Sequence, residues 1–192
     1  MRKFFIAATL TFLSIAGYSQ FVIFGVKAGL NLANFTANYV ESPKLIPSFH
    51  AGGFANFLIA EKFMLQPEVL YSGKGAKYDG GKYLFSYVDI PVLAQYKTAS
   101  GFYVEAGPQI GFLISAKNKL NGRSIGDAEN IKSSMKSYDL SWVGGIGFKF
   151  PMGAGVAARY DFGYSNAASS GTIKNKAVLI SVFYTFGGNS AE

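Results

Sequence analysis

Residues 102–114 read FYVEAGPQIGFLI, and the character of their side chains changes with every step along the chain. One set is apolar and includes Phe102, Val104 and Phe112, whereas the alternate set contains Glu105, Gln109 and glycines. A period of two residues is typical of a β-strand with one apolar and one polar face. A tilted strand needs about 9–11 residues to cross the hydrocarbon core of a bilayer, so this segment is long enough.

Seven other segments repeat the alternation. With residues 102–114 they form a set of eight, namely 24–32, 49–59, 63–72, 88–97, 102–114, 139–150, 156–164 and 178–186. The links between them alternate between short (60–62, 98–101 and 151–153) and long (33–48, 73–82, 117–137 and 165–175). Bacterial barrels have short periplasmic turns and longer extracellular loops. We therefore predict an all-β fold, an eight-stranded antiparallel transmembrane β-barrel with short periplasmic turns and long extracellular loops.

The first nineteen residues have the layout of a secretory signal peptide. Met1-Arg2-Lys3 is a basic start, residues 4–16 are mostly apolar, and small residues precede a cut after Ser19. This apolar run is shorter than the about 20 residues that a membrane-spanning helix needs. We predict a signal peptide at 1–19 and an outer-membrane β-barrel domain at 20–192.

The composition excludes several classes of protein. Charged residues make up only 15% of the chain, apolar residues 49% and aromatic residues 16%, whereas soluble domains carry about 25% charged residues. The chain has no Cys, which excludes disulfide scaffolds, Cys-based zinc sites and thiol nucleophiles. We expect no cofactor and no metal site.

The alternation alone does not say which face points outward. A soluble lipocalin-like carrier of apolar ligands would turn its apolar face inward. Its outer face would then be rich in charged residues, because soluble surfaces carry about 25–35% of them. Here the polar face of each segment holds at most two charges, and the apolar face holds none. A lipid-facing apolar surface is therefore the preferred interpretation, with the soluble carrier as the alternative.

Charged residues within the segments all fall on the polar face, which a membrane barrel turns toward its lumen. An eight-stranded barrel has an interior just wide enough for side chains to fill. Ion pairs that fill the lumen are therefore favoured over a polar pathway for ions or protons, with Arg159 as the hub because its guanidinium can bind two carboxylates. The predicted lumen charge network comprises Lys27, Glu68, Asp89, Lys97, Glu105, Asp139, Lys149, Arg159 and Asp161.

His50 is the only histidine. An enzyme interpretation would make it the base of an outer-membrane lipid hydrolase, which requires a nearby Ser and an acidic partner. Ala51 and Gly52 follow it, so no local His-x-Ser pairing exists. We interpret His50 as a lumen or rim residue and expect no catalytic residues and no enzyme.

The long links are basic. Together with the residues at their edges, they contain four acidic residues, Glu41, Asp79, Asp127 and Glu129, against eleven basic ones. A basic rim would attract the phosphates of surface lipopolysaccharide, although a merely solvated cationic surface is equally compatible. We expect no nucleic-acid partner, because the chain is exported and lacks a recognition helix. The eleven basic residues are Lys44, Lys74, Lys77, Lys82, Lys117, Lys119, Arg123, Lys132, Lys136, Lys174 and Lys176.

Five short stretches resemble the PorT-like outer-membrane β-barrel family, often labelled porin-family proteins. They are residues 25–34 (GVKAGLNLAN), 66–75 (QPEVLYSGKG), 87–91 (YVDIP), 107–111 (GPQIG) and 158–160 (ARY). The resemblance implies an outer-membrane barrel of Gram-negative bacteria, with some members tied to protein secretion. It also implies a C-terminal aromatic signal for the barrel-insertion machinery, for which Tyr184-Thr-Phe186 is the candidate, although residues 187–192 follow it.

Together these observations predict a monomeric barrel in contact with outer-membrane lipid. Its expected role is structural, a surface interaction or narrow porin-like transport. The alternative is an accessory of an outer-membrane secretion apparatus.

Overall fold

The computed structural model describes residues 22–37, 44–122, 128–165 and 173–186. These residues form nine β-strands and one short 3₁₀ turn at Lys132–Ser134. The strands are β1 (Val22–Ala37), β2 (Ile46–Ala60), β3 (Phe63–Tyr78), β4 (Gly81–Lys97), β5 (Phe102–Leu120), β6 (Glu129–Asn130), β7 (Tyr138–Lys149), β8 (Ala154–Gly163) and β9 (Ile173–Phe186).

Eight of these strands close into a ring of antiparallel neighbours. Each pairs with the next along the chain, with β5 followed by β7, and β1 closes the ring by pairing with β9 from Phe24–Phe186 to Ala37–Ile173. The two-residue β6 adds to β5 at Lys117 and Asn118, outside the ring. Because the ring is closed, no strand of it has an unpaired edge, and the backbone hydrogen-bonding groups have partners within the barrel, as lipid requires. The predicted eight-stranded antiparallel barrel is confirmed.

The apolar face of each strand points away from the barrel axis. Phe24 is 62% exposed, Trp142 57% and Ile180 58%, whereas the polar residues between them, such as Lys27 and Ser181, are buried. An apolar side chain that is exposed in this way is stable against lipid rather than water. The lipocalin-like alternative, which needs the opposite orientation, is therefore wrong.

Aromatic side chains lie on the outer surface near both ends of the strands. Phe63 and Tyr96 pack with ring centroids 5.1 Å apart at one end, and Phe49 and Tyr71 pack at 5.3 Å at the other. Such belts lie at the membrane–water interfaces. Seven aromatic residues near the ends of the alternating segments are all exposed, namely Tyr71, Tyr96, Phe102, Phe150, Tyr164, Tyr184 and Phe186.

The two ends of the barrel differ in their connections. At the turn end, β2 joins β3 through two residues, and Gly101 and Gly153 complete tight turns with φ of +95° and +89°. Glycine is required there because other residues rarely adopt positive φ. At the loop end, residues 38–45, 121–137 and 164–172 connect the strands.

The fourth loop-end connection differs from the prediction of a long loop at 73–82. β3 continues to Tyr78 and β4 starts at Gly81, so that Asp79 and Gly80 alone form the turn. The glycines and lysines of this stretch indicate a loop in the sequence. Cross-strand hydrogen bonds and stacking of Tyr78 on Tyr83, with ring centroids 5.0 Å apart, nevertheless extend the hairpin beyond the barrel wall.

Apolar clusters lie inside the barrel at both ends. At the turn end, the rings of Phe54 and Tyr103 both meet Phe183 edge-on. At the loop end, Phe85 and Tyr87 pack with Met135, and a second cluster joins residues of β1, β2 and β9, including Ile46. The polar core of the lumen therefore lies between two apolar layers.

Some predictions concern residues that are not described. The signal peptide at 1–19 and the tail at 187–192 lie outside the described residues, so the proposed domain boundary stays a prediction. Within the described residues, no helix is both long and apolar enough to cross a membrane.

Candidate functional site in the barrel lumen

Four charged side chains from four strands meet in the half of the lumen nearer the turn end. We call Lys27, Glu68, Glu105 and Arg159 the turn-side cluster. Arg159 Nη1 and Nη2 donate to the two oxygens of Glu68 at 2.7 Å each, and Nη2 also donates to Glu105 Oε2 at 3.0 Å. Lys27 Nζ donates to Glu68 Oε1 at 2.8 Å. Two cations and two carboxylates leave the cluster with no net charge.

Neighbouring residues hold the turn-side cluster in place. Gln95 Nε2 donates to Glu105 Oε2 at 2.7 Å and to Gln66 Oε1 at 2.9 Å, and Gln66 donates to Glu68. Gly145 faces Arg159 on the adjacent strand, where a Cβ would lie 2.8 Å from Arg159 Cγ. The glycine therefore leaves the room that the guanidinium stem occupies.

A neutral layer lies above the turn-side cluster. We call Asn31, His50, Ser72 and Ser181 the polar layer. His50 Nδ1 lies 2.6 Å from Asn31 Oδ1, and its Nε2 lies 2.8 Å from Ser181 Oγ. Asn31 Nδ2 donates to Ser72 Oγ at 3.1 Å and to the backbone oxygen of Gly73 at 2.9 Å. Its amide oxygen must then accept from His50 Nδ1–H, which leaves Nε2 to accept from Ser181.

The polar layer has the order of a hydrolase triad, with a Ser, a His and an orienting Asn. The serine lies on β9, 131 residues from His50, so no local His-x-Ser pattern in the sequence indicates this contact. His50 and Ser181 are each 1% exposed and Asn31 is fully buried. This burial leaves no room beside Ser181 for a substrate carbonyl, and we assign the layer a packing role in the lumen.

A second charged group lies nearer the loop end. We call Lys74, Asp89 and Asp161 the loop-side cluster. Lys74 Nζ lies 3.0 Å from Asp89 Oδ2 and 2.8 Å from Asp161 Oδ2, and all three side chains are nearly fully buried. Gln109 Nε2 also donates to Asp161 Oδ2, at 3.0 Å.

Lys74 corrects the sequence analysis, which places it in the basic extracellular rim. Lys74 lies an even number of residues from Glu68 and Ser72 on the same strand, β3. Its side chain therefore points into the lumen, as theirs do, rather than toward solvent. The sequence does indicate this position, because Lys74 continues the alternation that places Glu68 and Ser72 on the polar face. The glycines on both sides of it concealed this continuation.

The other predicted lumen residues fall into two groups. Asp139 is buried and accepts from Asn175 Nδ2 at 2.7 Å and from Ser165 Oγ at 2.8 Å. Lys97 and Lys149 are only half-buried, near the turn end, and form no ion pair with any described residue. Lys97 and Lys149 therefore take no part in the ion pairs described, because the strand ends lie beyond the paired carboxylates, and the nine-residue network as a whole stays a prediction.

The arrangement binds charges to one another rather than presenting them to a ligand. Among the described residues, no group of three or more His, Asp or Glu side chains is placed to hold a metal ion. Buried charges that already have partners are stable only while those partners stay in place.

The sequence matches the model of a family described as outer membrane protein beta-barrel domain over residues 18–169. The chain belongs to this family. No curated protein is similar enough to match the chain.

Solved structures show the same fold at low sequence identity. Neisserial surface protein A (NspA) superposes with a TM-score of 0.59 at 13% identity, over 85% of this chain and 97% of that one. The attachment invasion locus protein Ail of Yersinia pestis, in complex with the heparin analogue sucrose octasulfate, gives a TM-score of 0.58 at 14% identity, over 87% and 100%.

Family membership gives the barrel its place and orientation. It is a protein of the bacterial outer membrane, as predicted. In outer-membrane barrels the short turns face the periplasm and the longer loops face outward. The turn end is therefore periplasmic and the loop end extracellular.

Proposed function

We propose that this protein is a non-conducting barrel that serves the envelope through its extracellular surface rather than through its lumen. The observation that supports the proposal is the order of the side-chain layers along the barrel axis. An aromatic layer, the turn-side cluster, the polar layer, the loop-side cluster and an apolar layer follow one another.

Opening a water path through these layers would be costly. Each path would have to separate Arg159 or Lys74 from carboxylates that are at most 4% exposed. Breaking a buried ion pair by removing one partner costs about 3–5 kcal/mol. A narrow porin-like role, one of the roles predicted from the sequence, would need such a separation for every conducting event.

The resemblance to the PorT-like family suggests a second role, as an accessory of secretion. Such a role needs a protein partner, and stable protein interfaces bury about 800 Å² on each side. The described periplasmic turns contain only a few residues each. We therefore favour the extracellular surface, where the hairpin of β3 and β4 extends beyond the wall. The structure of Ail with sucrose octasulfate gives an example of a barrel of this fold with a polyanionic ligand.

Conductance measurements test the proposal. We expect purified, folded protein in planar bilayers to give no discrete conductance steps, because the lumen layers leave no continuous water path. A heat-modifiability gel on the same sample verifies that the barrel is folded and inserted. Discrete steps from folded wild-type protein would contradict the proposal.

A further inference from the structure

Four lysines form a continuous row across the extracellular extension of the barrel, beyond its membrane-spanning wall. We call Lys44, Lys77, Lys82 and Lys119 the lysine row. Lys77 lies directly opposite Lys82 in the register of β3 and β4, and Lys82 lies opposite Lys119 in that of β4 and β5. Lys44 joins the other side of Lys77 through an isolated bridge with backbone N···O distances of 2.9 and 3.0 Å. Neighbouring strands lie about 4.8 Å apart, so the row spans about 14 Å.

This arrangement is unfavourable without a counter-ion. Like charges directly opposite each other on neighbouring strands destabilise a sheet. Among the described residues, the row has one ion pair, Lys44 Nζ with Asp79 Oδ1 at 3.8 Å, and both side chains are largely exposed at 74% and 99%. Exposed pairs of this kind contribute little. Lys117 adds a fifth cation to the same face, two residues from Lys119.

The strands that carry the row are held firmly. Ala76 and Phe85, beside it on β3 and β4, are 0% and 2% exposed within a loop-end apolar cluster. Leu84, two residues from Lys82 on β4, packs against the second cluster around Ile46. The backbone positions of the lysines are therefore fixed before any ligand binds, which lowers the entropy lost on binding.

The row also lines a concave surface. A cleft of about 460 Å³ at the hairpin tip is bordered by all four lysines, together with Tyr78 and Asn121. Asp79 borders the same cleft, so an anion that enters it would meet four ammonium groups against one carboxylate, with an amide and a phenol group nearby. A lysine ammonium group binds phosphate as a point charge.

The height of the lysine row above the membrane interface indicates which ligand it can reach. Lys77 lies six residues beyond the interfacial Tyr71, which is roughly 20 Å along the strand and roughly 15 Å above the interface for a strand tilted by 40°. This height corresponds to the saccharide layer of lipopolysaccharide rather than to the membrane surface itself.

We propose that the lysine row binds the phosphate groups of the lipopolysaccharide core saccharide. Phosphates on successive sugars would contact successive lysines across the strands. The inference rests on the extracellular surface role proposed above and names the ligand of that surface.

The test uses full-length protein folded in detergent micelles and deacylated, phosphorylated core oligosaccharide as the probe. The variant Lys77→Gln/Lys82→Gln/Lys119→Gln removes three cations from the row. The matched control, Lys62→Gln/Lys97→Gln/Lys149→Gln, removes three cations from the periplasmic turn end of the barrel, away from the row. We expect calorimetric titration at low salt to show binding that weakens at least about 10-fold in the row variant and less than about 2-fold in the control. Added salt should weaken binding by the wild type and reduce its difference from the row variant.

Four results would overturn the inference. They are no binding by the wild type, equal losses in both variants, equal binding of dephosphorylated oligosaccharide, or tighter binding of a sulfated glycan of matched length. Heat-modifiability gels verify that each variant is folded. The two proposals fail separately. Conductance by the wild type would contradict the non-conducting role but would not change the titration result. Loss of binding in the titration would contradict the phosphate-binding proposal but would not change the absence of conductance in bilayers.

Discussion

Replacing Arg159 with Met should destabilise the barrel by about 3–5 kcal/mol, because a buried ion-pair cluster would lose its hub. Glu105 would keep only its hydrogen bond from Gln95, whereas Glu68 would still have Lys27. Urea unfolding in micelles or lipid, followed by a heat-modifiability gel, measures this loss.

The second substitution Glu105→Gln provides the control. In the double variant the remaining charges, Lys27 and Glu68, balance each other, so we expect recovery of roughly half of the lost stability. An Arg159→Met variant as stable as the wild type would show that the cluster does not contribute. A double variant less stable than the single one would show that charge imbalance is not the cause.

Replacing Lys74 with Met should have a similar effect at neutral pH, again about 3–5 kcal/mol. Asp89 and Asp161 would then lie close together without the cation that now bridges them at 3.0 and 2.8 Å. Lowering the pH should reduce the deficit, because the folded variant relieves the repulsion by taking up protons. Unfolding curves at about pH 8 and about pH 5 measure this difference, since stability changes with pH according to the protons bound in each state.

Lys77→Met is the matched control for Lys74. It removes the same type of side chain three residues further along β3, where the lysine is exposed, and should change stability by less than about 0.5 kcal/mol. Equal effects of the two substitutions, or a Lys74→Met deficit that grows on acidification, would contradict the assignment of Lys74 to the lumen.

The period of two residues was sufficient to predict the fold. Alternation between apolar and polar residues, as in Phe102–Ile114, predicts strands, and their number together with the alternating link lengths predicts a closed membrane barrel. Which residues share a face follows from the same period, so the inward phase of Glu105 and Asp161 could be derived from the sequence alone.

The contacts inside the lumen could not be derived in this way. They depend on the stagger between strands that lie opposite one another across the barrel, which periodicity does not specify. The salt bridge of Lys74 with Asp161 joins residues 87 positions apart, and Ser181 meets His50 across 131. The lumen position of Lys74 was also not predicted, because the glycines next to it indicate a loop. In the structure, pairing with β4 continues β3 beyond Lys74.

The central claim is that apolar side chains face lipid while polar ones fill the lumen, and Trp142 offers the most direct test. It is the only tryptophan in the chain and is 57% exposed on the outer face. In bilayers of brominated lipid, its fluorescence should be strongly quenched. In the variant Trp142→Phe/Tyr103→Trp, which moves the indole to a position that is 4% exposed inside the barrel, quenching should be weak. Weak quenching of Trp142 together with strong quenching at position 103 would contradict the account.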